Sequence, residues 1–357
     1  MKTDLFDYPL PDALIAQHPA ARRDESRLLV VDRKTREIHH HVFRDLPGFL
    51  HPGDLIIRNT ARVLPARIHA EKTSGGAVEC LLLNPTEDGR DWWALLRPGR
   101  RLKPGARFGR SGVFLAEVLS KSPTGECLIR FLENRHSTVP ALAEAVGVMP
   151  LPPYVNRSTP TPADSAEDRE RYQTVYARRD RPVAAAAPTA GLHFTPEVDR
   201  TLRENGVETG EIILHVGLGT FRPIETDDVE SHPMHAETYE IPAETRFQLA
   251  VERSGRTLAV GTTSLRALED FARTTDCRSG PAILRRTDIF IHPPAGFQIV
   301  QGLLTNFHLP RSTLLCLIAA FLTPESTEGI GWFKEIYRIA AEKKYRFLSY
   351  GDAMLIL

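Results

Sequence analysis

The stretch from Pro188 to Phe221 constrains the fold most, because two turns in it each set a histidine beside glycines, a hydroxyl and a phenylalanine. It opens with Pro188-Thr189-Ala190-Gly191-Leu192-His193-Phe194-Thr195 and closes with Leu214-His215-Val216-Gly217-Leu218-Gly219-Thr220-Phe221. Between them, Thr195 predicts an N-cap, Pro196 the first helical position and Glu197 a charge suited to the helix dipole. The unit reads as strand, Gly-broken loop, helix, strand, Gly-broken loop. Open α/β sheets bind ligands where parallel strands end. The competing reading of each loop is a glycine turn around a partly buried histidine.

A chain of 357 residues predicts two domains rather than one core. Its hydrophobic fraction of 42% and charged fraction of 25% are those of an ordinary soluble protein. Forty-five basic and forty-five acidic residues cancel, so any nucleic-acid contact must come from a local patch. Cys80, Cys127, Cys277 and Cys316 form no CxxC pair, which argues against a thiolate zinc site or a disulfide framework and predicts a cytoplasmic protein. The N-terminus has no apolar signal core. The longest apolar run, 314–322, falls short of the about 20 residues of a membrane span and predicts a buried helix.

From about Ile68 to Phe131 the texture changes to short β-rich runs at 78–83, 92–96, 113–119 and 127–132, separated by turn clusters. That spacing predicts a small antiparallel barrel over 67–150, inserted into a larger α/β domain formed by 1–66 and 151–357. The window 97–110 carries six cations and no anion. A small barrel with such a loop suits a phosphate backbone, and a solvated turn is the alternative. Pro150 to Tyr154 reads as an extended linker, 158–168 as a mobile loop, and the histidines at 39–41 as surface.

Three further segments carry candidate chemistry. His232, His235 and Glu237 have the spacing H-x-x-H-x-E. In an extended chain His235 and Glu237 share a face, which favours an acid/base pair without metal over a metal site. Gly261-Thr262-Thr263-Ser264 follows a strand and opens a helix, giving free N–H groups and hydroxyls for an anion, with Arg266 close by. A Ser/Thr cap is the plain alternative. Asn306 offers the donor and acceptor needed at an adenine edge, and Phe307 a ring to stack on.

Taken together, Pro188–Phe194, Leu214–Phe221, Met234-His235-x-Glu237, Val260–Ser264, Thr305–Pro310 and Tyr345-Arg346-Phe347-x-Ser349–Met354 resemble the S-adenosylmethionine:tRNA ribosyltransferase-isomerase family of queuosine biosynthesis. Phe6-Asp7-Tyr8-x-Leu10-Pro11 and Asn59-Thr60-x-x-Val63–Arg67 match as well, so the resemblance spans the chain. It departs at 292–301, where His292-Pro293-Pro294-Ala295 and Gln301 replace a Tyr-Pro-Gly-type turn and an aspartate.

The resemblance implies a large α/β-barrel-like domain with a small inserted β-barrel. It implies transfer of the ribosyl part of S-adenosylmethionine to the aminomethyl group of 7-aminomethyl-7-deazaguanine at the tRNA wobble position. The product is epoxyqueuosine, with adenine and methionine released. The amine must lose a proton before attack, and in the scheme usually proposed the carbon beside the sulfonium loses one too. Histidine supplies such a base.

His193 or His235 is then the expected base, with Glu237 orienting it, and His215 and His308 stand second. Phe194, Phe221 and Phe307 would face the sulfonium, and Thr262, Thr263, Ser264 and Arg266 the methionine carboxylate. Thr189, Gly191, Gly217, Gly219, Thr220 and Asn306 complete the expected substrate set. The expected tRNA contacts are Arg62, Arg67, Arg97, Arg100, Arg101, Lys103, Arg107, Lys344 and Arg346. Neither a metal nor a cofactor is expected, S-adenosylmethionine being a consumed substrate, and the expected state is a monomer with no membrane contact. Competing readings are a metal-dependent hydrolase on His232, His235 and Glu237, a non-catalytic RNA-binding protein, and a paralogue with another acceptor.

Overall fold

Every residue of the strand Leu55–Asn59 is buried, as a strand covered on both faces requires. The computed structural model describes residues 1–357 apart from 124, 158–160, 179, 181, 185, 216–222, 235 and 275–277. For 162, 182–184 and 215 it describes the backbone alone. Among the described residues a nine-stranded mixed sheet runs Ile283–Thr287, Glu237–Ile241, Glu208–His215, Leu55–Asn59, Thr257–Val260, Gly302–Asn306, Ala353–Ile356, Arg27–Val31, Ile38–Val42. The four strands from Glu208–His215 to Gly302–Asn306 are parallel to one another. Antiparallel pairs close both edges.

Helices cover the sheet. Thr313–Leu322 follows Ser312, whose hydroxyl accepts the N–H of Leu315, and all ten of its residues are buried. Each Leu, Ile or Phe so enclosed contributes about 1.5–3 kcal/mol.

A second body is a closed antiparallel barrel in the order Cys127–Asn134, Asp91–Arg97, Ala77–Pro85, Arg67–Lys72, Arg107–Arg110, Phe114–Lys121. It has its own core, including Trp92, Phe108 and Phe114. The α/β architecture with a small barrel thus agrees with the sequence reading.

Local expectations fared unevenly. The segment read as a mobile loop at 158–168 is largely helix, Pro162–Arg171. Thr161 caps it: its hydroxyl accepts the Asp164 N–H at 3.1 Å, and the Asp164 carboxylate accepts the Thr161 N–H at 2.9 Å. The strand expected before the first histidine turn, Pro182–Ala184, pairs with Arg62–Val63 in a separate two-stranded sheet instead of joining the main one. Part of the basic window, Arg107–Arg110, is a barrel strand, because Phe108 turns wholly inward and the missing Cβ of Gly109 lets the Phe114 carbonyl approach.

Candidate active site

Three segments far apart in sequence meet at one depression. Its walls include Thr189 of the first histidine turn, Thr262 and Thr263 at the start of the helix Thr262–Thr274, and Asn306, the last residue of the strand Gly302–Asn306, with Phe307 and His308 just after it. The depression is small, about 70 Å³, and open to solvent. Gly261 turns the chain from strand to helix at φ +93°, where a side chain would be strained, and donates its N–H to the Leu304 carbonyl at 2.8 Å. That turn sets the hydroxyls of Thr262 and Thr263 on the wall beside the helix start.

Asn306 ties the depression to His193. Its Oδ1 accepts the Thr189 hydroxyl at 2.8 Å, while its Nδ2 donates to His193 Nε2 at 3.2 Å and to the Asp352 carbonyl at 3.4 Å. The Asp352 contact fixes the amide orientation, so Nε2 is the bare nitrogen and Nδ1–H donates to Ser26 Oγ at 2.7 Å. The His193 ring is 4% exposed, and burial, helped by Arg346 and Arg23, pushes its pKa down to about 3. Burial likewise brings His308 to about 3, with its Nε2 bonded to Thr305 Oγ1 at 2.8 Å. Both imidazoles are neutral at physiological pH.

Several expected ligands have other occupations. Asn306 was expected to read an adenine edge, but its amide is spent on Thr189, His193 and Asp352. Phe194 and Phe307 were expected beside a sulfonium, yet both rings are fully buried. Phe194 packs edge-on against Phe43 and Tyr176, and Phe307 lies among Tyr337, Tyr345 and Phe347. Arg266 was expected at a substrate carboxylate. Its Nη1 instead donates to Glu237 Oε2 at 2.6 Å and its Nε to the Ile289 carbonyl at 3.1 Å, leaving Nη2 without a partner among the described residues.

Ser264 is fully buried and does not line the depression, and its hydroxyl has no partner among the described residues. Gly191 is a packing requirement, since a Cβ there would strike the Tyr176 hydroxyl. The His215 side chain, Gly217, Gly219, Thr220, Phe221 and His235 lie outside the described residues, although Pro223, just beyond the second turn, is on the wall.

Sequence reasoning passed over Tyr154 and Ser349, which share a 2.6 Å hydrogen bond at the rim. Asp352 stands in the sequence as one member of a longer motif, with nothing to single it out. Its carboxylate accepts the Arg27 and Arg346 N–H groups at 3.0 and 2.8 Å and holds the C-terminal loop against the first sheet strand. The 292–301 segment does not line the depression. Its N–H groups at 298–300 are gathered by the buried Glu269 carboxylate, and Gln301 accepts the Thr257 N–H at 2.9 Å.

The expected RNA contacts divide. Arg62, Arg67 and Arg107 are paired with Glu144, Glu79 and Glu117, and Arg346 lies 3.6 Å from Asp352. Arg97, Arg100, Arg101, Lys103 and Lys344 are exposed and form no ion pair with a described residue.

The model of the family described as queuosine biosynthesis protein matches residues 3–356. A Thermotoga maritima protein named S-adenosylmethionine:tRNA ribosyltransferase-isomerase is 44% identical over the full length of both chains. Proteins of the same name from Rubrobacter xylanophilus and Gloeobacter violaceus are 47% and 48% identical, covering 100% and 99% of this chain and 98% and 96% of theirs. A crystal structure of S-adenosylmethionine tRNA ribosyltransferase from Thermotoga maritima superposes with a TM-score of 0.54 at 36% identity, covering 99% of this chain and 100% of its own. With a family match from end to end, the chain belongs to the queuosine biosynthesis family of S-adenosylmethionine:tRNA ribosyltransferase-isomerases and is an enzyme of the transferase-isomerase type.

Proposed function

We propose that the chain transfers and isomerises the ribosyl moiety of S-adenosylmethionine onto 7-aminomethyl-7-deazaguanine at the tRNA wobble position, giving epoxyqueuosine-tRNA with release of adenine and methionine. The observation that carries this reading is the meeting of Thr189, Thr262–Thr263 and 305–308 at one depression, in a chain whose relatives are named for this activity. Thr262 and Thr263, with the N–H groups at the helix start, take the methionine carboxylate. Adenine and methionine depart without net oxidation, so the balanced reaction consumes S-adenosylmethionine and calls for no redox partner.

The proton transfers fall to His235, oriented by Glu237. His193 is assigned a positioning role: with both ring nitrogens engaged and a pKa of about 3, it is a weak base at pH 7. It holds Asn306, which in turn holds the Thr189 hydroxyl at the rim. Arg266 fixes the Glu237 carboxylate.

The test is single-turnover incubation with S-adenosylmethionine and tRNA carrying the deazaguanine precursor, scoring free adenine and the modified nucleoside. The native enzyme is expected to release both. Loss of a general base costs roughly 10²–10⁴-fold, so His235→Ala should fall by that much, and His193→Gln by less. Absence of adenine release from the native protein overturns the activity; a native-like rate in His235→Ala overturns the assignment of the base.

A further inference from the structure

A second and larger cavity lies between the barrel and the segment that leads back to the main sheet. Its volume, about 850 Å³, is within the range of small-molecule and nucleotide sites. Strand pairing builds one wall from two cross-strand rows: Arg67 stands opposite Leu81 and Leu81 opposite Leu95, while His69 stands opposite Glu79 and Glu79 opposite Arg97. Residues two apart on a strand share a face, so both rows look the same way, out of the barrel and into the cleft. The facing wall is Val148 and Met149, residues 151–153 and 155–157, where the linker expected to be extended instead turns at Pro152–Val155, and the helix residues Ser165, Asp168 and Arg169.

Most of the charge here is already matched. Arg67 is held by Glu79, Arg157 by Asp168 at 2.9 Å and Arg169 by Glu144. Arg97 stands apart: it is exposed, has no acidic partner among the described residues, and begins the loop that carries exposed Arg100, Arg101 and Lys103. Leu95, Val148 and Val155 leave an aliphatic surface between these charges. An apolar floor with an unneutralised cation at its lip matches the two faces of a nucleotide, base and phosphate.

The position of the cleft says which nucleotide. Tyr154 lines the depression of the candidate active site, whereas its neighbours Pro153 and Val155 line the cleft. The turn Pro152–Val155, closed by the Val155 N–H on the Pro152 carbonyl at 3.0 Å, therefore stands between the two. A nucleotide in the cleft and one in the depression are neighbours on an RNA strand, not distant parts of it.

We propose that this cleft receives an unpaired nucleotide adjacent to the wobble position, its base against Leu95, Val148 and Val155 and its phosphate at Arg97. The proposal rests on the reading of the chain as an enzyme that modifies tRNA at that position.

The experiment uses the full chain with an anticodon stem–loop RNA carrying the deazaguanine precursor. Abasic sugars are placed one at a time on either side of the wobble nucleotide. Arg97→Ala removes an exposed side chain. Val148→Glu puts a charge on the apolar floor and leaves the backbone pairing of Val148 with Arg67 intact. Stacking on an aromatic ring corresponds to about a tenfold or larger change per base, and contact with an aliphatic floor to a smaller one, about threefold.

Each variant is expected to raise KM for the RNA about threefold or more while the Kd for S-adenosylmethionine, measured by calorimetry, stays within about twofold. One flanking abasic site should cost the native enzyme a similar factor and add little to Val148→Glu. The proposal is overturned if both variants keep the native KM for RNA, or if no flanking abasic site matters. It is also overturned if every abasic penalty is as large in Val148→Glu as in the native enzyme. If the native enzyme releases no adenine with intact RNA, the activity itself has failed, a separate outcome.

Discussion

The Glu237 carboxylate and the Arg266 guanidinium meet at 2.6 Å with both side chains buried, joining the strand Glu237–Ile241 to the helix Thr262–Thr274. Removing the Arg266 guanidinium breaks a buried ion pair, and breaking such a pair costs about 3–5 kcal/mol. Arg266→Met should lower stability by that amount in urea denaturation. Adding Glu237→Leu should recover much of it, because a buried pair replaced by apolar residues is often neutral. A double variant as unstable as the sum of the single ones would show that the two act independently.

Proton uptake by two neutral histidines gives the fold a pH dependence. Folding lowers the pKa of His193 and His308 from 6.5 to about 3. Above 6.5 both states are deprotonated and the stability is complete. As pH falls, the unfolded chain binds protons first, so stability is lost progressively between 6.5 and about 3. Each histidine contributes up to about 1.4 kcal/mol per pH unit. Between pH 6.5 and 5, ahead of most carboxylates, urea midpoints should drop, and His193→Gln should reduce the slope by roughly one histidine's share. An unchanged slope in that variant would place the proton uptake elsewhere.

Gly191 is predicted to tolerate no methyl group while Tyr176 keeps its hydroxyl. Gly191→Ala drives a Cβ into that hydroxyl, and overpacking of this kind costs about 1–3 kcal/mol. The Tyr176 hydroxyl is buried without a hydrogen-bond partner among the described residues, so Tyr176→Phe alone should be close to neutral. The pair together should be more stable than Gly191→Ala alone, with 3.0 Å from the new Cβ to the Tyr176 ring carbon limiting the rescue. Thermal melts of the three variants decide it.

The unpaired cations of the barrel loop should act on RNA and not on the small substrate. Replacing Arg100, Arg101 and Lys103 by alanine is expected to weaken tRNA binding and to flatten its salt dependence by roughly 0.7–0.9 for each phosphate that is no longer neutralised. Filter binding across a salt series measures the slope, and an unchanged slope would remove this loop from the RNA interface.

Much of the architecture was legible because it is written in contiguous apolar runs. The strands at 55–59 and 257–260 and the helix 313–322 are buried along their length, and such runs announce themselves. Arg107–Arg110 did not, since one inward phenylalanine among arginines and a glycine carries no alternation to read. The helix 162–171 was hidden by its polarity, although Thr161-Pro162-Ala163-Asp164 is a helix start that could have been recognised. At the site, the coming together of Thr189, Thr262 and His308 followed from motif order. The roles within it did not. Asn306, Phe307 and Arg266 look like ligands in sequence, and only packing reveals that amide, ring and guanidinium are already engaged by Asp352, Tyr345 and Glu237.

The order of strands has a bearing on how the enzyme is made. The barrel draws all its strands from one continuous stretch, Arg67 to Asn134, whereas Ala353–Ile356 is inserted between Gly302–Asn306 and Arg27–Val31, so that Leu28 waits for Ala353. During synthesis the barrel has all its partners long before the larger sheet does. A nascent chain halted on the ribosome after about residue 200 is therefore expected to resist protease across the barrel while residues 27–31 remain open to cleavage, and the wall carrying Asn306 and His308 takes its final form only near the end of translation.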